Sequence, residues 1–360
     1  MGDEFDFKVI TRDRDCGDAK PYGGIKVNVW QKVGKAEVLY LPIQNLSLKV
    51  LNNIINTVEP DLLYLNSFFS PVFTIKPLLL RRLRLIHHLP TVLAPRGEFS
   101  QNALGLKSLK KTTYLFLAKS LGLCGDMVFQ ASSLYEQADI KHRLSENSLV
   151  KIAPELPALS VKQITNRTSR IRKKNNYLNV IFLSRISRQK NLYGALSIFK
   201  EIKGDIQFSI YGPIEDGVYW EECQQLISSM PKNIEVQYQG SLAHDKVTEV
   251  MLQHDLLFLP TLGESFGYVI LEALVAGCPV LISDRTPWRN LESKGVGWDI
   301  PLEQPKSFQR VIQQCLEMDE LIHRQWSQRA QEYGLQYSQC EDAVEKHRIL
   351  FKEAILRKGK

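Results

Sequence analysis

The sequence predicts an α/β protein made of two doubly wound, Rossmann-like domains. Short apolar runs that suit strands alternate with segments of helical periodicity along the chain, and this alternation is typical of parallel sheets. The chain has 360 residues, which suits two domains of ordinary size, and 44% of them are hydrophobic, enough for two cores. We therefore expect two α/β domains.

Six apolar runs predict strands in the first half of the chain. They are residues 7–10, 38–41, 62–65, 91–94, 127–130 and 149–153. Residues 47–58 have a helical pattern that starts at Ser47, whose hydroxyl can cap the first turn. Residues 1–158 are therefore predicted to form an N-terminal domain.

The second half repeats the alternation, with strands predicted near residues 179, 206, 234, 255 and 279. Residues 177–335 are thus expected to form a C-terminal domain. Between the domains, residues 159–176 contain six basic residues and no acidic one. A solvated linker is favoured over a nucleic-acid patch, because no aromatic residue interleaves the charges.

The most informative segment, GESFGYVILEALVAGCP, runs from Gly263 to Pro279. Two carboxylates, Glu264 and Glu272, bracket an aromatic-glycine turn that follows a buried strand and opens an amphipathic helix. Such a junction directs unpaired backbone N–H groups and the positive end of a helix dipole towards a ligand. The pattern indicates a phosphate site with two acids that can bind hydroxyl groups.

A second cluster follows the apolar run 179–184, where Arg185 and Lys190 come after a predicted strand. A guanidinium and an ammonium together can neutralise a diphosphate without a metal ion. Gly212 and Gly240 follow two further strands and allow close approach of a ligand to the backbone. Four strand ends are therefore expected at one crevice.

These motifs, spread over residues 179–300, resemble the donor half of family 4 retaining glycosyltransferases of the GT-B fold. The resemblance implies two domains that face a cleft, with Glu264 and Glu272 as the E-x7-E signature. The implied catalytic residues are Glu264, Arg185 and Lys190. The implied donor-binding residues are Arg185, Lys190, Gly212, Glu264, Phe266, Gly267, Tyr268, Val269 and Glu272. Ser265 stands where the family usually has glycine, a small change that we expect to tune donor choice.

The first domain is expected to hold the acceptor, at the segment APRGEFS. This segment resembles a subgroup of family 4 that builds bacterial surface polysaccharides, and it contributes Arg96, Gly97 and Glu98 as acceptor-side candidates. No histidine lies at the position where many relatives carry a cleft histidine. His87 and His88 follow Arg81, Arg82 and Arg84 on a predicted surface helix and are less favoured as catalytic residues.

The implied activity is metal-independent transfer of a sugar, with retention, from a nucleotide-diphosphate donor to a glycan or lipid-linked glycan. The implied process is capsule, exopolysaccharide or O-antigen synthesis. No cofactor and no nucleic-acid partner are expected. In the GT-B fold the last helix, within residues 336–360, packs back on the first domain.

A basic, leucine-rich stretch at residues 78–85 carries Arg81, Arg82 and Arg84. With a net charge of +7, it fits either an anionic membrane surface or leucines in a core beneath solvated arginines. No run approaches the length that spans a bilayer, and the six scattered cysteines suit reduced thiols. We expect a cytoplasmic protein, with peripheral association with the inner membrane as an option.

The chain starts in what resembles the second strand of the family, without the first strand and its Gly-rich turn. From this we expect an exposed edge strand and weak activity or poor solubility. The alternative function is accordingly a weak or inactive nucleotide-sugar-binding protein. Asp13-Arg14-Asp15 also forms a D-x-D, for which a solvated turn is the favoured interpretation over a metal site.

Overall fold

The computed structural model describes residues 3–15, 20–100, 108–156, 173–338 and 341–357. The chain divides into two compact units. Unit 1 contains the described residues of Met1–Phe99, Lys107–Pro154 and Asp342–Lys360, and unit 2 contains those of Ser100–Leu106 and Glu155–Glu341. Most of the predicted basic linker, residues 159–172, lies outside the described residues.

Unit 1 is built around short, mainly parallel strands. They are β1 (Phe7–Arg12), β2 (Trp30–Val33), β3 (Ala36–Leu41), β4 (Leu63–Asn66), β5 (Thr91–Ala94), β6 (Val128–Ala131) and β7 (Val150–Ile152). All six predicted strands are present. The sequence did not reveal β2, a four-residue strand that pairs antiparallel with β3.

The described strands of unit 1 form two sheets and not the single sheet expected. Their orders are β1-β3-β2 and β4-β5-β6-β7. Both β1 and β4 therefore lie at an edge of their sheet. Side chains from the two sheets and from neighbouring helices fill separate small clusters, such as Leu39, Leu51 and Leu80 in one and Phe68, Phe99 and Phe129 in another.

Four helices pack on these sheets. They are α1 (Leu48–Val58), α2 (Lys76–Arg82), α3 (Ser108–Ser120) and α4 (Leu134–Arg143). Helix α1 begins as predicted, because the Ser47 hydroxyl accepts a hydrogen bond from the Val50 N–H at 3.3 Å. Helix α2 continues a π-helical turn over Pro71–Ile75 and ends at Arg82, so His87 and His88 lie after the helix and not on it.

Unit 2 has one six-stranded parallel sheet of order β10-β9-β8-β11-β12-β13. Its strands are β8 (Tyr177–Leu183), β9 (Asp205–Tyr211), β10 (Ile234–Tyr238), β11 (Leu256–Leu259), β12 (Val280–Ser283) and β13 (Gly297–Ile300). The order reverses between β8 and β11, so the carboxyl ends of these two strands flank a topological switch point where doubly wound sheets bind ligands.

The helices of unit 2 cover both faces of this sheet. They are α5 (Leu192–Phe199), α6 (Gly217–Ser228), α7 (Val247–Met251), α8 (Tyr268–Val275), α9 (Leu291–Lys294), α10 (Pro305–Glu317) and α11 (Glu320–Ser338). Helix α11 lies so close to α8 that a Cβ at Gly334 would be 2.5 Å from the Val275 nitrogen. This close packing fixes α8, which carries Glu272.

The last helix, α12 (Glu341–Leu356), belongs to unit 1. Its residues Leu350, Phe351 and Ala354 are buried with Val92 of β5 and Val128 of β6. The structure thus assigns this helix to the same unit as β5 and β6.

Two expectations need correction. Lys173, predicted in a solvated linker, is 6% exposed, donates to the carbonyls of Lys174 and Tyr177, and has a pKa lowered by burial. Asp13 is 2% exposed and paired with Arg14, so the D-x-D turn is not fully solvated, because the Asp13 N–H is tied to the Leu41 carbonyl at the end of β3.

Four cysteines lie among the described residues, and none is in a disulfide. Cys223, Cys278 and Cys315 are buried, and Cys124 is half-buried. Burial raises the pKa of Cys124 and of Cys223 to about 11. Across the described residues, no helix is both long and apolar enough to cross a membrane.

Candidate functional site

The predicted donor residues lie at the carboxyl ends of β8, β9 and β11. Gly212 follows β9 with a φ of +139°. A Cβ at this position would lie 1.9 Å from the Ser184 carbonyl oxygen, and the Gly212 N–H donates to the Gly240 carbonyl at 2.8 Å. Only glycine fits here, and it draws together the ends of three adjacent strands.

The turn that carries Lys190 is tied to the loop that carries Glu264. The Leu262 N–H donates to the Gln189 carbonyl at 2.8 Å, and the Asn191 side chain donates to the Pro260 carbonyl at 2.9 Å. These bonds cross the switch point between β8 and β11. The sequence-distant residues Lys190 and Glu264 therefore meet.

Lys190 and Glu264 form an ion pair that is nearly buried. The ammonium lies 2.5 Å from a carboxylate oxygen, and the two side chains are 12% and 11% exposed. Lys190, which is predicted to bind the diphosphate, and Glu264, which is predicted to lie near the donor sugar, are thus in direct contact. A donor phosphate that approaches Lys190 would meet an ammonium whose positive charge is balanced by Glu264.

Arg185 is more accessible than Lys190. Its guanidinium lies 2.9 Å from the carboxylate of Glu215, with side chains 57% and 50% exposed. An exposed ion pair of this kind contributes little to stability and can exchange partners readily. Arg185 is therefore free to change from Glu215 to a phosphate at low free-energy cost.

The turn before α8 has the conformation that the motif predicts. Gly267 has a φ of +81° and precedes the first helical residue, Tyr268. The preceding Phe266 is 2% exposed, and its carbonyl accepts a hydrogen bond from the Trp288 indole at 2.6 Å. The turn is held rigidly, with the first N–H groups of α8, including that of Val269, at a helix N-terminus.

Glu272 lies one turn into α8, with its side chain 14% exposed. Burial raises the pKa of this carboxyl, and the His244 ring opposes the shift. The His244 Nδ1 is 3.4 Å from a Glu272 oxygen and comes from the turn His244–Lys246, which follows β10. Glu272 is thus a partly desolvated carboxylate beside the His244 imidazole, suited to accept hydrogen bonds from hydroxyl groups.

Tyr268 makes a bond that the sequence did not reveal. Its hydroxyl donates to the carboxylate of Glu155 at 2.9 Å, and Glu155 is 7% exposed. Glu155 is the first residue of the Glu155–Glu341 segment of unit 2. The start of this segment is therefore anchored to the predicted donor turn.

The acceptor-side candidates lie together after β5 in unit 1, and their side chains are engaged. Arg96 has a φ of +57° and donates to the Asn66 side chain at 2.7 Å and to the Tyr64 hydroxyl at 2.9 Å. The Gly97 N–H donates to Glu136 at 2.6 Å. Polar contacts therefore fix the conformation of this turn.

The Glu98 carboxylate accepts hydrogen bonds that stabilise a neighbouring turn. One of its oxygens accepts from the Ser67 hydroxyl at 2.6 Å, and the other accepts from the N–H groups of Phe68 and Phe69. A carboxylate that holds three donors of the 67–69 turn is committed to that turn. Of the three acceptor-side candidates, Glu98 is the least available for a substrate.

Sequence reasoning missed the partners of the predicted residues. Glu215, His244 and Trp288 contact Arg185, Glu272 and the Phe266 carbonyl. Glu215 and His244 follow β9 and β10 within a few residues, so the rule that ligands bind at strand ends could have suggested them. No local pattern marks Trp288.

Residues 163–333 match the family model "Glycosyl transferases group 1". The match supports a group 1 glycosyltransferase. The matched stretch contains every residue of the predicted donor site, from Arg185 to Glu272. The two carboxylates, Glu264 and Glu272, and the two cations, Arg185 and Lys190, all lie in this matched stretch.

Two curated relatives match parts of the chain. The 2-deoxystreptamine N-acetyl-D-glucosaminyltransferase of Niallia circulans is 30% identical over 109 residues, 29% of this chain and 27% of that protein. An uncharacterized 41.2 kDa protein in the cps region of Klebsiella pneumoniae is 24% identical over 197 residues, 53% of this chain and 51% of that protein. The chain thus spans about half or less of the length of these relatives.

A solved structure matches nearly the whole chain. Anabaena HepE in complex with UDP-glucose has a TM-score of 0.66 and 17% identity, and the match covers 96% of this chain and 98% of that one. At this identity the likeness shows the fold alone. The predicted fold class, GT-B, is confirmed.

Proposed function

We propose that this protein is a retaining glycosyltransferase that moves a sugar from a nucleotide-diphosphate donor to a glycan or lipid-linked glycan. The observation that carries the proposal is the meeting of Lys190, Glu264 and the N-terminus of α8 at the switch point of the unit 2 sheet. The match to group 1 glycosyltransferases over the same residues supports it. HepE, of similar fold, is described in complex with UDP-glucose.

In the proposed donor complex, Arg185 releases Glu215 and binds the diphosphate. Lys190 and the first N–H groups of α8 bind the diphosphate as well. These groups stabilise the negative charge that develops on the leaving phosphate as the glycosidic bond breaks. Glu272 accepts hydrogen bonds from the ribose hydroxyls. Glu264 stays on Lys190 and contacts the donor sugar.

The acceptor attacks from the face that the diphosphate leaves, and a phosphate oxygen takes its proton. This route uses no protein nucleophile and retains the anomeric configuration. It requires no metal ion, because Arg185, Lys190 and the helix dipole supply the positive charge. The turn of Arg96 and Gly97 is the proposed acceptor side.

The proposed process is the assembly of a bacterial surface polysaccharide on the cytoplasmic side of the inner membrane. The capsule-region relative of Klebsiella pneumoniae supports this assignment. A lipid-linked acceptor would require peripheral membrane association, for which unit 1 has a basic surface.

The test is thermal stabilisation of the purified chain by UDP-, GDP-, ADP- and dTDP-sugars, with and without EDTA. One nucleotide class should raise the melting temperature, EDTA should have no effect, and Arg185→Ala should abolish the shift. Anomeric NMR of the product from that donor should show retention. Lack of stabilisation by every nucleotide sugar in a folded protein would contradict the proposal.

A further inference from the structure

Unit 1 has a basic groove of about 680 Å³ between the end of α2 and the turn that follows α3. Its polar lining consists of Arg81, Arg82, Arg84 and His88 on the first segment and Asp126 on the second. Gly122 and Gly125 also line it. The groove is distinct from the donor residues, which belong to unit 2.

Arg81 is a largely buried arginine in the wall of the groove. Its side chain is 8% exposed, and its guanidinium lies 2.8 Å from Asp126 Oδ2. The Arg81 Nε is buried and has no hydrogen-bond partner within the described part of the chain. A buried N–H without an acceptor is destabilising, so the Arg81 side chain is incompletely satisfied in the wall of the groove.

The charges of the groove do not balance. Burial tends to raise the pKa of Asp126, but Arg81 and His88 outweigh it, so the pKa is lowered and the carboxylate stays ionised. The same Asp126 oxygen lies 2.7 Å from His88 Nε2. Arg82 donates to the Leu121 carbonyl, which neutralises no charge. Arg82 and Arg84 therefore leave the groove with excess positive charge.

Arg84 occupies a strained position. Its φ is +57°, and its N–H donates to the Arg81 carbonyl at 3.0 Å in the turn that ends α2. Helices commonly place glycine in such a left-handed C-terminal turn, because a side chain there is strained. An arginine at this point puts a cation on the groove at a cost in stability.

Apolar side chains lie exposed beside these cations. Leu83 is 61% exposed, Leu85 is 50% exposed, and Leu121, which lines the groove, is 47% exposed. Phe116, in the last two turns of α3, is 68% exposed. A cationic pocket rimmed by exposed leucines complements the phosphate and the acyl region of a phospholipid.

We propose that this groove binds the phosphate of an anionic phospholipid headgroup and seats unit 1 on a membrane surface. This groove would be the site of the membrane association that the proposed function includes. Only the biological role of lipid binding rests on the proposed function. The lipid phosphate accepts hydrogen bonds from Arg81, Arg82 and Arg84. The exposed leucines enter the interface.

The first experiment is sedimentation of the full chain with phosphatidylcholine vesicles, with or without phosphatidylglycerol. Binding should require phosphatidylglycerol. The double variant Arg82→Gln/Arg84→Gln should weaken it about thirtyfold, roughly fivefold per arginine. The control Lys200→Gln/Lys203→Gln removes the same charge from exposed positions of unit 2 and should leave binding nearly unchanged.

Two single variants distinguish binding of lipid in the groove from non-specific electrostatic attraction to the vesicle. Arg84→Gly suits the positive φ, so it should weaken vesicle binding about fivefold without lowering the melting temperature. Gly125→Gln changes no charge and has room for its Cβ, whose nearest atom would be 3.8 Å away, so its side chain should obstruct the groove and weaken binding.

Three results would overturn the proposal. The control pair could weaken binding as much as the arginine pair, or Gly125→Gln could bind like the wild type. Alternatively, inorganic phosphate could stabilise an Arg185→Ala protein through Arg82 and Arg84 while vesicles do not bind, which would assign the groove to free phosphate. Nucleotide-sugar stabilisation, measured on the same variants, should be unchanged and separates this proposal from the donor site.

Discussion

At the residue scale, the proposed donor site is an arrangement of charges that already neutralise each other. Lys190 is paired with Glu264 away from water, and Arg185 is paired with Glu215 in water. Because a charge left without its partner costs far more where water is excluded, the two cations differ in the role they have without a donor. Lys190 is bound into the fold, whereas Arg185 is available.

Removal of one partner of the buried pair should expose this difference. Lys190→Ala leaves the Glu264 carboxylate nearly buried and unpaired, so we expect a loss of about 3 kcal/mol of unfolding free energy in urea titrations. Arg185→Ala, the matched control, should change the unfolding free energy by less than about 1 kcal/mol. Both should weaken nucleotide-sugar binding.

A double variant then separates stability from binding. Lys190→Met with Glu264→Gln leaves no unpaired charge and should recover most of the stability lost by Lys190→Ala, while donor binding stays weak. If the double variant is as unstable as the single one, the ion pair is not the reason for the loss.

Glu272 should make the stability of the protein depend on pH. Its folded-state pKa is raised above the ordinary 4.5 by burial, so its ionisation favours the unfolded state as pH rises through the folded pKa. Glu272→Gln should therefore be more stable than the wild type at neutral pH. The difference in urea-derived free energy should vanish below about pH 4.5, where both states bind the proton. A difference that is the same at both pH values would contradict this.

The placement of the proposed donor residues after strands or at the start of a helix could be predicted from sequence, because each lies in a short motif that follows an apolar run. Their partners could not be predicted, because contacts such as those between Lys190 and Glu264 or between His244 and Glu272 depend on strand order across the switch point. Glu98 shows the converse. The motif predicted it as an acceptor-side residue, but the hydrogen bonds that it accepts from the Phe68 and Phe69 N–H groups leave no sequence pattern.

At the scale of elements, close backbone approaches decide which residues the strand ends can carry. Gly212 should be irreplaceable, since a Cβ would lie 1.9 Å from the Ser184 carbonyl at a φ of +139°. We expect Gly212→Ala to lower the unfolding free energy by about 3 kcal/mol, the upper range for overpacking. Gly217→Ala, at the start of α6 with no atom within 4 Å, is the control and should be neutral or slightly stabilising. Equal stability of the two variants would refute the steric argument.

Helix α12 should stabilise unit 1 through the face that carries Phe351. Phe351 is 6% exposed, and its ring lies 5.6 Å from that of Phe5 and 5.8 Å from that of Tyr64. Phe351→Ala should lower the unfolding free energy by about 3 to 5 kcal/mol. Ile349→Ala, at a position 45% exposed on the same helix, should have a much smaller effect in the same thermal and urea titrations. A similar loss in both variants would mean that α12 is not packed by this face.

Local pattern predicted most elements because buried strands read as apolar runs and α1 carries a capping serine. Local pattern did not predict the elements that are defined by strand pairing. Strand β2 is defined by its antiparallel partner β3, and β13 by its register beside β12. The division of the unit 1 strands into two sheets is likewise a matter of pairing and not of local propensity.

At the scale of the whole molecule, the two units keep their principal cores separate. The largest cluster of buried side chains lies wholly in unit 2, around the sheet that carries the proposed donor residues. A ligand that binds the folded state of unit 2 should therefore stabilise that unit first, since binding free energy is added to the state that binds.

Hydrogen exchange with and without the stabilising nucleotide sugar tests this. Protection should rise in peptides that cover residues 184–191, 211–213 and 262–272, because the donor suppresses local opening of these strand ends. Peptides of β4 to β7 in unit 1, including the turn of Arg96, should change less when the donor is present without an acceptor. In Arg185→Ala the donor-dependent protection should disappear at a ligand concentration that saturates the wild type. Protection confined to unit 1 would place the donor on the wrong unit and refute the assignment of Lys190, Glu264 and Glu272 together.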